Sequence, residues 1–155
     1  EASLSNPEAS GMGTTLTMAV IARGKVTVAH VGDSRLYMAR SGSLRQITED
    51  HSFIRELIKK GTLTREEAES HPRKHVITRA IGTSRELEVD ILELEAEKGD
   101  IFLLCTDGLT NMISEDEIYR VIIDNEPEKA CAELIEAAKS KGGEDNITVI
   151  VIKYE

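Results

Sequence analysis

The stretch from Ile101 to Leu109, IFLLCTDGL, constrains the fold of this chain more than any other. Five apolar residues in a row cannot stay in water, so they predict a buried strand that ends just before Asp107. Gly108 follows at once and lets the backbone turn sharply. The sequence therefore predicts a carboxylate at the end of an interior strand, a common place for a hard metal ion or a phosphate-handling site.

Two further aspartates lie beside glycine at predicted strand boundaries. Asp145 belongs to the acidic turn GGEDN, which opens onto the strand pattern Ile147 to Tyr154. Asp33 lies in GDSR, between two other strand patterns. Because the three aspartates come from distant parts of the chain, we hypothesise that the fold assembles one site from strand ends. The competing interpretation is a turn or capping role, since carboxylates are common at glycine turns.

Composition limits the classes of function. The 155 residues are 40% hydrophobic and carry a net charge of -9, typical of a globular domain and unlike a disordered segment. With no Lys/Arg cluster and no apolar run near the roughly 18 residues of a membrane span, we expect neither nucleic acid nor a membrane as partner. Cys105 and Cys131 lie outside any C-x-x-C pattern, which predicts a reduced, cytoplasmic setting without disulfides or thiolate zinc.

Strand and helix patterns together predict an α+β domain. The first four strands have short connections, which predicts an antiparallel meander of two hairpins. Strand patterns and apolar segments, about eight in all, cover residues 14–22, 25–31, 36–40, 44–47, 76–81, 87–94, 101–105 and 147–154. Helices are predicted over 53–60, from the capping box of Thr64 and Glu67 to about Ser70, from the capping box of Ser114 and Glu117, and from Pro127 to Gly142. Two sheets with helices on an outer face are expected.

The helical segment over residues 50–76 interrupts the strands. It ends in the basic stretch HPRKH, and it is either a substrate-facing flap or a solvated loop. Asp50 and His51 at its start suit acid/base chemistry, but without an identified partner they are interpreted as loop residues. His30, in the middle of a strand, is interpreted as a packed side chain rather than a ligand.

Five ordered motifs carry a resemblance that covers nearly the whole chain. They are GMGTT at 11–15, AHVGDSR at 29–35, TRAIG at 78–82, CTDGL at 105–109 and GEDNIT at 143–148. In order and spacing they resemble the bacterial protein phosphatase 2C family, the metal-dependent protein serine/threonine phosphatases. A haloacid-dehalogenase-type site would need D-x-D-x-T, and a nucleotide P-loop would need its glycine-rich motif; neither is present.

The resemblance implies a β-sandwich of two mainly antiparallel sheets flanked by helices, with a Mn²⁺ or Mg²⁺ centre at one end. It implies that Asp107 and Asp145 bind the catalytic pair of ions and that Asp33 helps to hold a third. The segment from about Asp50 to His75 resembles the family's flap. The implied activity is hydrolysis of phosphoserine and phosphothreonine on protein substrates, opposing a bacterial serine/threonine kinase.

The resemblance also implies residues that this chain does not contain. Family members carry an N-terminal part with a metal-bridging aspartate, a phosphate-binding arginine and a histidine proposed as general acid. We therefore expect residues 1–155 to form a single partial domain, with a loop over 1–13, no catalytic residue of its own and little activity alone. The missing N-terminal fragment or a second copy of the chain is the expected partner. The alternative is a non-catalytic, phosphatase-like regulatory or binding module.

Overall fold

The computed structural model describes residues 8, 10–69 and 71–155. Two antiparallel sheets form a sandwich, one ordered β1-β2-β5 and the other β4-β3-β6-β7. The strands are β1 Leu16–Ala22, β2 Lys25–Val31, β3 Arg35–Arg40, β4 Ser43–Gln46, β5 Asp90–Glu95, β6 Ile101–Cys105 and β7 Val149–Lys153. The helices are α1 Phe53–Lys59, α2 Arg65–Glu69, α3 Asp107–Thr110, α4 Glu115–Asp124 and α5 Pro127–Ser140. Most of the predicted loop over 1–13, and the predicted helix end at Ser70, lie outside the described residues.

Strand β6 is the interior strand that the sequence predicted, and all five of its residues are buried. Phe102 and Leu104 belong to the core between the two sheets. Ile101, Leu103 and Cys105 point the other way, into a second core beneath the helices. Because both faces of the strand are covered, the sequence has an unbroken apolar run instead of an alternating one.

The second core lies between the β4-β3-β6-β7 sheet and helices α4 and α5. Ile118 and Ile122 of α4 and Leu134 of α5 are fully buried there, as expected for helices on an outer face of a sheet. Helices α4 and α5 therefore cover one outer face of the sandwich. None of the helices in the described ranges combines the length and apolar character needed to cross a membrane.

The prediction of one meander for the first four strands is wrong. β1 pairs with β2 in one sheet, and β3 pairs with β4 in the other. Val26 and Val28 of β2 pack face to face with Leu36 and Met38 of β3 in the core between the sheets. Stacking buries both apolar faces at once, whereas a side-by-side arrangement would leave each needing another cover.

Fewer strands form than the sequence predicted. The described residues contain seven, because the apolar segment 76–81 makes only the isolated bridges Ser52↔Ile77 and Thr14↔Ile81. The strand predicted over 87–94 begins only at Asp90. The backbone of residues 76–78 instead forms hydrogen bonds across the base of the helical segment 50–76. Phe53 N donates to Val76 O at 2.8 Å, and Thr78 N donates to His51 O at 2.8 Å.

Replacing Ser114 with alanine is expected to lower the free energy of unfolding by about 1 kcal/mol. Ser114 Oγ accepts from Glu117 N at 3.3 Å, and the Glu117 carboxylate accepts from Ser114 N at 3.0 Å. Urea unfolding measures the loss. Thr64→Ala is the matched control, because Thr64 forms the same predicted capping box at the start of the five-residue α2. The loss at Thr64 should be smaller, because α4 packs on the core and α2 is short. An equal loss at Thr64 would contradict this expectation.

Candidate metal centre

The end of β6 and the start of β7 meet at one edge of the sandwich. Cys105 pairs with Val149 across the antiparallel ladder, so the residues just beyond them lie together. Thr106 extends the contact, because its N–H donates to Thr148 O at 3.1 Å and its Oγ1 donates to Asn146 O at 3.1 Å. The loop that carries Asp145 is therefore tied to the strand end that carries Asp107.

Gly108 allows an especially close approach at this junction. A Cβ at this position would overlap the carbonyl oxygen of Asn146 and come within 3.4 Å of the Asp145 carbonyl carbon. Only glycine leaves room for α3 to start directly against the 145–146 loop. The sequence predicted a sharp turn at Gly108; the structure adds that the space is needed for a second chain segment.

Asp33 joins the same edge from the connection between the two sheets. It follows β2 and precedes β3, whose first residue Arg35 pairs with Cys105 at the end of β6. Burial and the nearby charge of Asp107 raise the pKa of the Asp33 carboxyl above its ordinary value. Asp33 and Asp107 are thus close enough to repel each other, which a cation between them would relieve.

Side chains on both sides hold the Asp33 turn. Ser34 Oγ lies 2.9 Å from Thr15 Oγ1, and Ser34 O accepts from Thr17 Oγ1 at 2.9 Å. On the other side, Gly32 has a φ of 111° and no space for a side chain, because a Cβ would overlap Thr15. The position of Asp33 is therefore set by its neighbours.

The other two carboxylates have few internal partners. Asp107 is partly buried and accepts from Asn111 Nδ2 at 3.2 Å, whereas Asp145 is exposed and accepts from Asn146 N at 2.7 Å. Over the described part of the chain, no three His, Cys, Asp or Glu side chains form a ready metal site. Carboxylate oxygens nevertheless suit Mn²⁺ or Mg²⁺, and Mg²⁺ commonly uses one or two carboxylates with water and phosphate oxygens. The residues fit part of a metal centre.

A cleft of about 480 Å³ opens beside these residues. Its lining includes Gly108, Asn111 and Asp145 from the strand-end region, and Lys74 and His75 from the segment 50–76. The basic end of this segment therefore shares a cleft with Asp145. The positive charge of Lys74 favours the approach of a phosphorylated group to this cleft.

The sequence predicts Asp50 to be a loop residue without a partner, and the structure gives it a partly buried arginine as partner. Arg35 Nη2 donates to Asp50 at 2.6 Å, and Gln46 Nε2 donates to the same carboxylate at 2.9 Å. Arg35 also donates to the Tyr37 hydroxyl at 3.0 Å, and burial raises the pKa of that hydroxyl. The sequence offers no local indication of this pair, because Arg35 and Asp50 are 15 residues apart.

His30 is a packed side chain, as the sequence predicted. It has no exposed surface, and its ring nitrogens lie 2.9 Å from Thr17 Oγ1 and 3.1 Å from Glu49 O. Burial and the neighbouring His51 lower the pKa of His30. The ring therefore links β1 to Glu49, just before the segment 50–76.

Replacing Asp33 with asparagine is expected to stabilise the metal-free protein at pH 7 by about 0.5–2 kcal/mol. Because the pKa of Asp33 is raised by the fold, the stability associated with its proton is present at low pH and lost as the pH rises through that pKa. At neutral pH the charge is a cost that asparagine removes. Urea unfolding in EDTA measures the effect, and the gain should shrink below about pH 4. An unchanged difference at low pH would contradict a charge-based cause.

The fold and site define a helix-flanked β-sandwich with an acidic end suited to hard divalent cations. The family model described as protein phosphatase 2C matches residues 1–141, and the chain belongs to this family. It is 43% identical over 150 residues to the serine/threonine phosphatase stp of Listeria welshimeri, covering 96% of this chain and 60% of that protein. It thus spans about 60% of the length of that relative.

Solved structures agree with this assignment. The Mycobacterium tuberculosis serine/threonine phosphatase PstP superposes with a TM-score of 0.93 at 40% identity, covering 99% of this chain and 65% of that chain. The Streptococcus agalactiae serine/threonine phosphatase also gives 0.93 at 40% identity, with coverages of 97% and 63%. A PstP catalytic domain in complex with two manganese ions gives 0.86 at 40% identity, with coverages of 96% and 62%. These matches confirm the predicted sandwich of two antiparallel sheets flanked by helices.

Proposed function

We propose that this chain supplies metal ligands to a metal-dependent phosphatase that removes phosphate from phosphoserine and phosphothreonine on proteins. The observation that carries the proposal is the meeting of Asp33 and Asp107 at one end of the sandwich, with the Asp145 loop packed against Gly108. Asp107 and Asp145 are assigned to two Mn²⁺ or Mg²⁺ ions, and Asp33 to a third. The manganese complex of PstP, a related structure, supports the choice of metal.

The chain's own residues would prepare the site in three ways. Asn111 orients the Asp107 carboxylate, and Gly108 lets the Asp145 loop approach it. Lys74 offers a positive charge across the cleft to an incoming phosphate. Bound Mn²⁺ or Mg²⁺ would lower the pKa of a water ligand and offset negative charge on the phosphoryl group. The general acid and the phosphate-binding arginine expected of the family are assigned to residues outside this chain.

We further propose that the phosphatase acts in the bacterial cytoplasm on phosphorylated proteins and opposes a serine/threonine kinase. Relatives named as serine/threonine phosphatases in Listeria and Mycobacterium support the substrate class. Cys105 and Cys131 are both free thiols, which suits a reducing compartment.

A covering partner is also part of the proposal. Alternate residues of β1 expose a row of apolar side chains, with Leu16 at 44%, Met18 at 47% and Val20 at 52% exposure. Contiguous apolar surface of this kind favours burial by another segment. The candidates are the N-terminal part of a phosphatase domain and a second copy of this chain.

The test is phosphate release from a phosphothreonine peptide by the protein as its gene encodes it. Release is expected with Mn²⁺, loss of release in EDTA, and recovery when Mn²⁺ is restored. The 155-residue chain by itself is expected to release little or none. Robust turnover by that chain would show that the catalytic residues do not lie outside it.

The second candidate is a non-catalytic, phosphatase-like binding module. The observation in its favour is that the Asp145 carboxylate lies within its own turn, bound to Asn146 N. For this candidate, the gene-encoded protein would bind the phosphopeptide without releasing phosphate at any Mn²⁺ concentration. That outcome would overturn the phosphatase proposal.

A further inference from the structure

His51 holds the residue next to Asp33 by two hydrogen bonds. The N–H of Gly32 donates to His51 Nδ1 at 3.1 Å, and Gly32 O accepts from the backbone N–H of His51 at 2.8 Å. Both backbone polar groups of Gly32 are therefore bound by one residue. His51 is 7% exposed, so water cannot easily replace these partners.

This geometry determines which nitrogen of His51 carries the proton. Since Gly32 N–H is a donor, Nδ1 must be the unprotonated acceptor. The proton of neutral His51 is then on Nε2, which lies 3.1 Å from Asp90 Oδ2 and donates to it. Arg79 Nη1 is 3.4 Å from Nε2, but it donates to Asp90 Oδ1 at 3.0 Å. Both groups thus share the carboxylate.

Asp90 is a suitable orienting group for the imidazole. Burial opposes its charge, but the hydrogen bond from His51 and the charge of Arg79 prevail and hold its pKa below the ordinary value. Asp90 is therefore an acceptor at neutral pH. Since a carboxylate has no proton to donate, it selects the Nε2–H form of His51.

The same histidine joins both ends of the segment 50–76. It lies at the start of that segment, and its carbonyl accepts from Thr78 N, just past the other end, at 2.8 Å. The adjacent bridge between Ser52 and Ile77 closes the base. His51 therefore links this base to the turn that carries Asp33.

We propose that His51 is a positioning residue that, in its Nε2–H form, fixes the Asp33 turn to the base of the segment 50–76. Asp90 and Arg79 orient the imidazole, and Gly32 transmits its position to Asp33. The expected effect of His51 on metal binding rests on the proposed function, whereas the hydrogen bonds between His51 and Gly32 do not. Mutation of a residue that orients a metal ligand typically lowers metal affinity by about 10–100-fold.

The first experiment tests the link without metal or activity. In the unmodified, gene-encoded protein at pH 7.5 in EDTA, ¹⁵N NMR of the histidine rings should show His51 protonated on Nε2 alone. Asp90→Ala removes the orienting acceptor and should shift part of the population to Nδ1–H, with faster hydrogen exchange at Gly32. An Nδ1–H form of His51 in the unmodified protein would overturn the proposal, whatever the enzyme does.

The second experiment separates positioning from general stability. His51→Leu removes the acceptor for Gly32, and it should raise the apparent Kd for the weakest-bound Mn²⁺ about 10-fold in calorimetric titration. His51→Asn places an amide oxygen near the position of Nδ1, and it should stay within about 3-fold of the unmodified protein.

The matched control is His71→Leu. His71 Nδ1 also accepts a backbone N–H, that of Arg73 at 3.1 Å, but at an exposed position. This variant should leave the Kd unchanged. The proposal is overturned if His51→Leu leaves the Kd unchanged, or if the asparagine variant weakens binding as much as leucine does. If His51→Leu does not fold, the ring tautomer and the asparagine variant still decide.

Discussion

Replacing Asp107 with asparagine is expected to raise the apparent Kd for Mn²⁺ at least about 100-fold, because it removes the charge of a proposed ligand and not only a supporting contact. Asp107 is the first residue of α3, just beyond the end of β6, and its charge raises the pKa of the Asp33 carboxyl, so it belongs to the acidic end of the sandwich. Asparagine keeps the shape and the carbonyl oxygen but lacks the negative charge. Isothermal titration of the gene-encoded protein with Mn²⁺ measures the change.

The control for this prediction is Asp124→Asn. Asp124 is exposed at the last residue of α4, on a helix that packs on the outer face of the sheet. The Asp124→Asn substitution removes the same charge from the protein without changing the strand ends, so the Kd for Mn²⁺ should stay within about 2-fold. Equal losses in the two variants would mean that overall charge, and not a ligand, governs binding.

Replacing Gly108 with alanine is expected to lower the free energy of unfolding by about 3 kcal/mol. The added methyl group would overlap the Asn146 carbonyl, which is backbone and cannot rotate away. Relief requires α3 and the 145–146 loop to separate, so Mn²⁺ binding should weaken as well. Urea unfolding in EDTA gives the stability change, and a Mn²⁺ titration gives the change in affinity.

Gly99→Ala separates crowding from backbone strain. Gly99 has a φ of 94°, which alanine rarely adopts, but no neighbouring atom lies within 4 Å of the added Cβ. We expect a loss of about 1 kcal/mol there, with metal binding unchanged. If the Gly99 variant lost as much stability as the Gly108 variant, close packing at the strand end would not be the cause.

Local patterns predicted the elements whose signals are local. The apolar run before Asp107 predicted β6, because only a strand covered on both faces tolerates such a run. Ser114 with Glu117 and Thr64 with Glu67 predicted two helix starts, since a capping box involves residues three apart. The motif order further predicted membership of the protein phosphatase 2C family, which the family model confirms.

The misplaced hairpins show where local patterns fail. Each hairpin was correctly predicted, yet both were assigned to one sheet. An alternating pattern indicates only that one face of a strand is apolar. It does not indicate whether the next hairpin lies beside that strand in one sheet or packs on its apolar face in a second sheet. The same ambiguity applies to the segment 76–81, whose apolar residues suit a strand but whose backbone closes the base of a helical segment.

Sequence alone thus determined which residue types lie at strand ends: the carboxylates, the glycines that permit sharp turns, and the apolar strands that carry them. Only the tertiary structure decided which of them meet. Asp33 lies near Asp107 because β3 pairs with β6, and His51 contacts Gly32 because the segment 50–76 folds back on its own base. The physical reason is that strand pairing and burial between distant segments depend on the whole core, whereas turns, caps and strand periodicity depend on a few neighbouring residues.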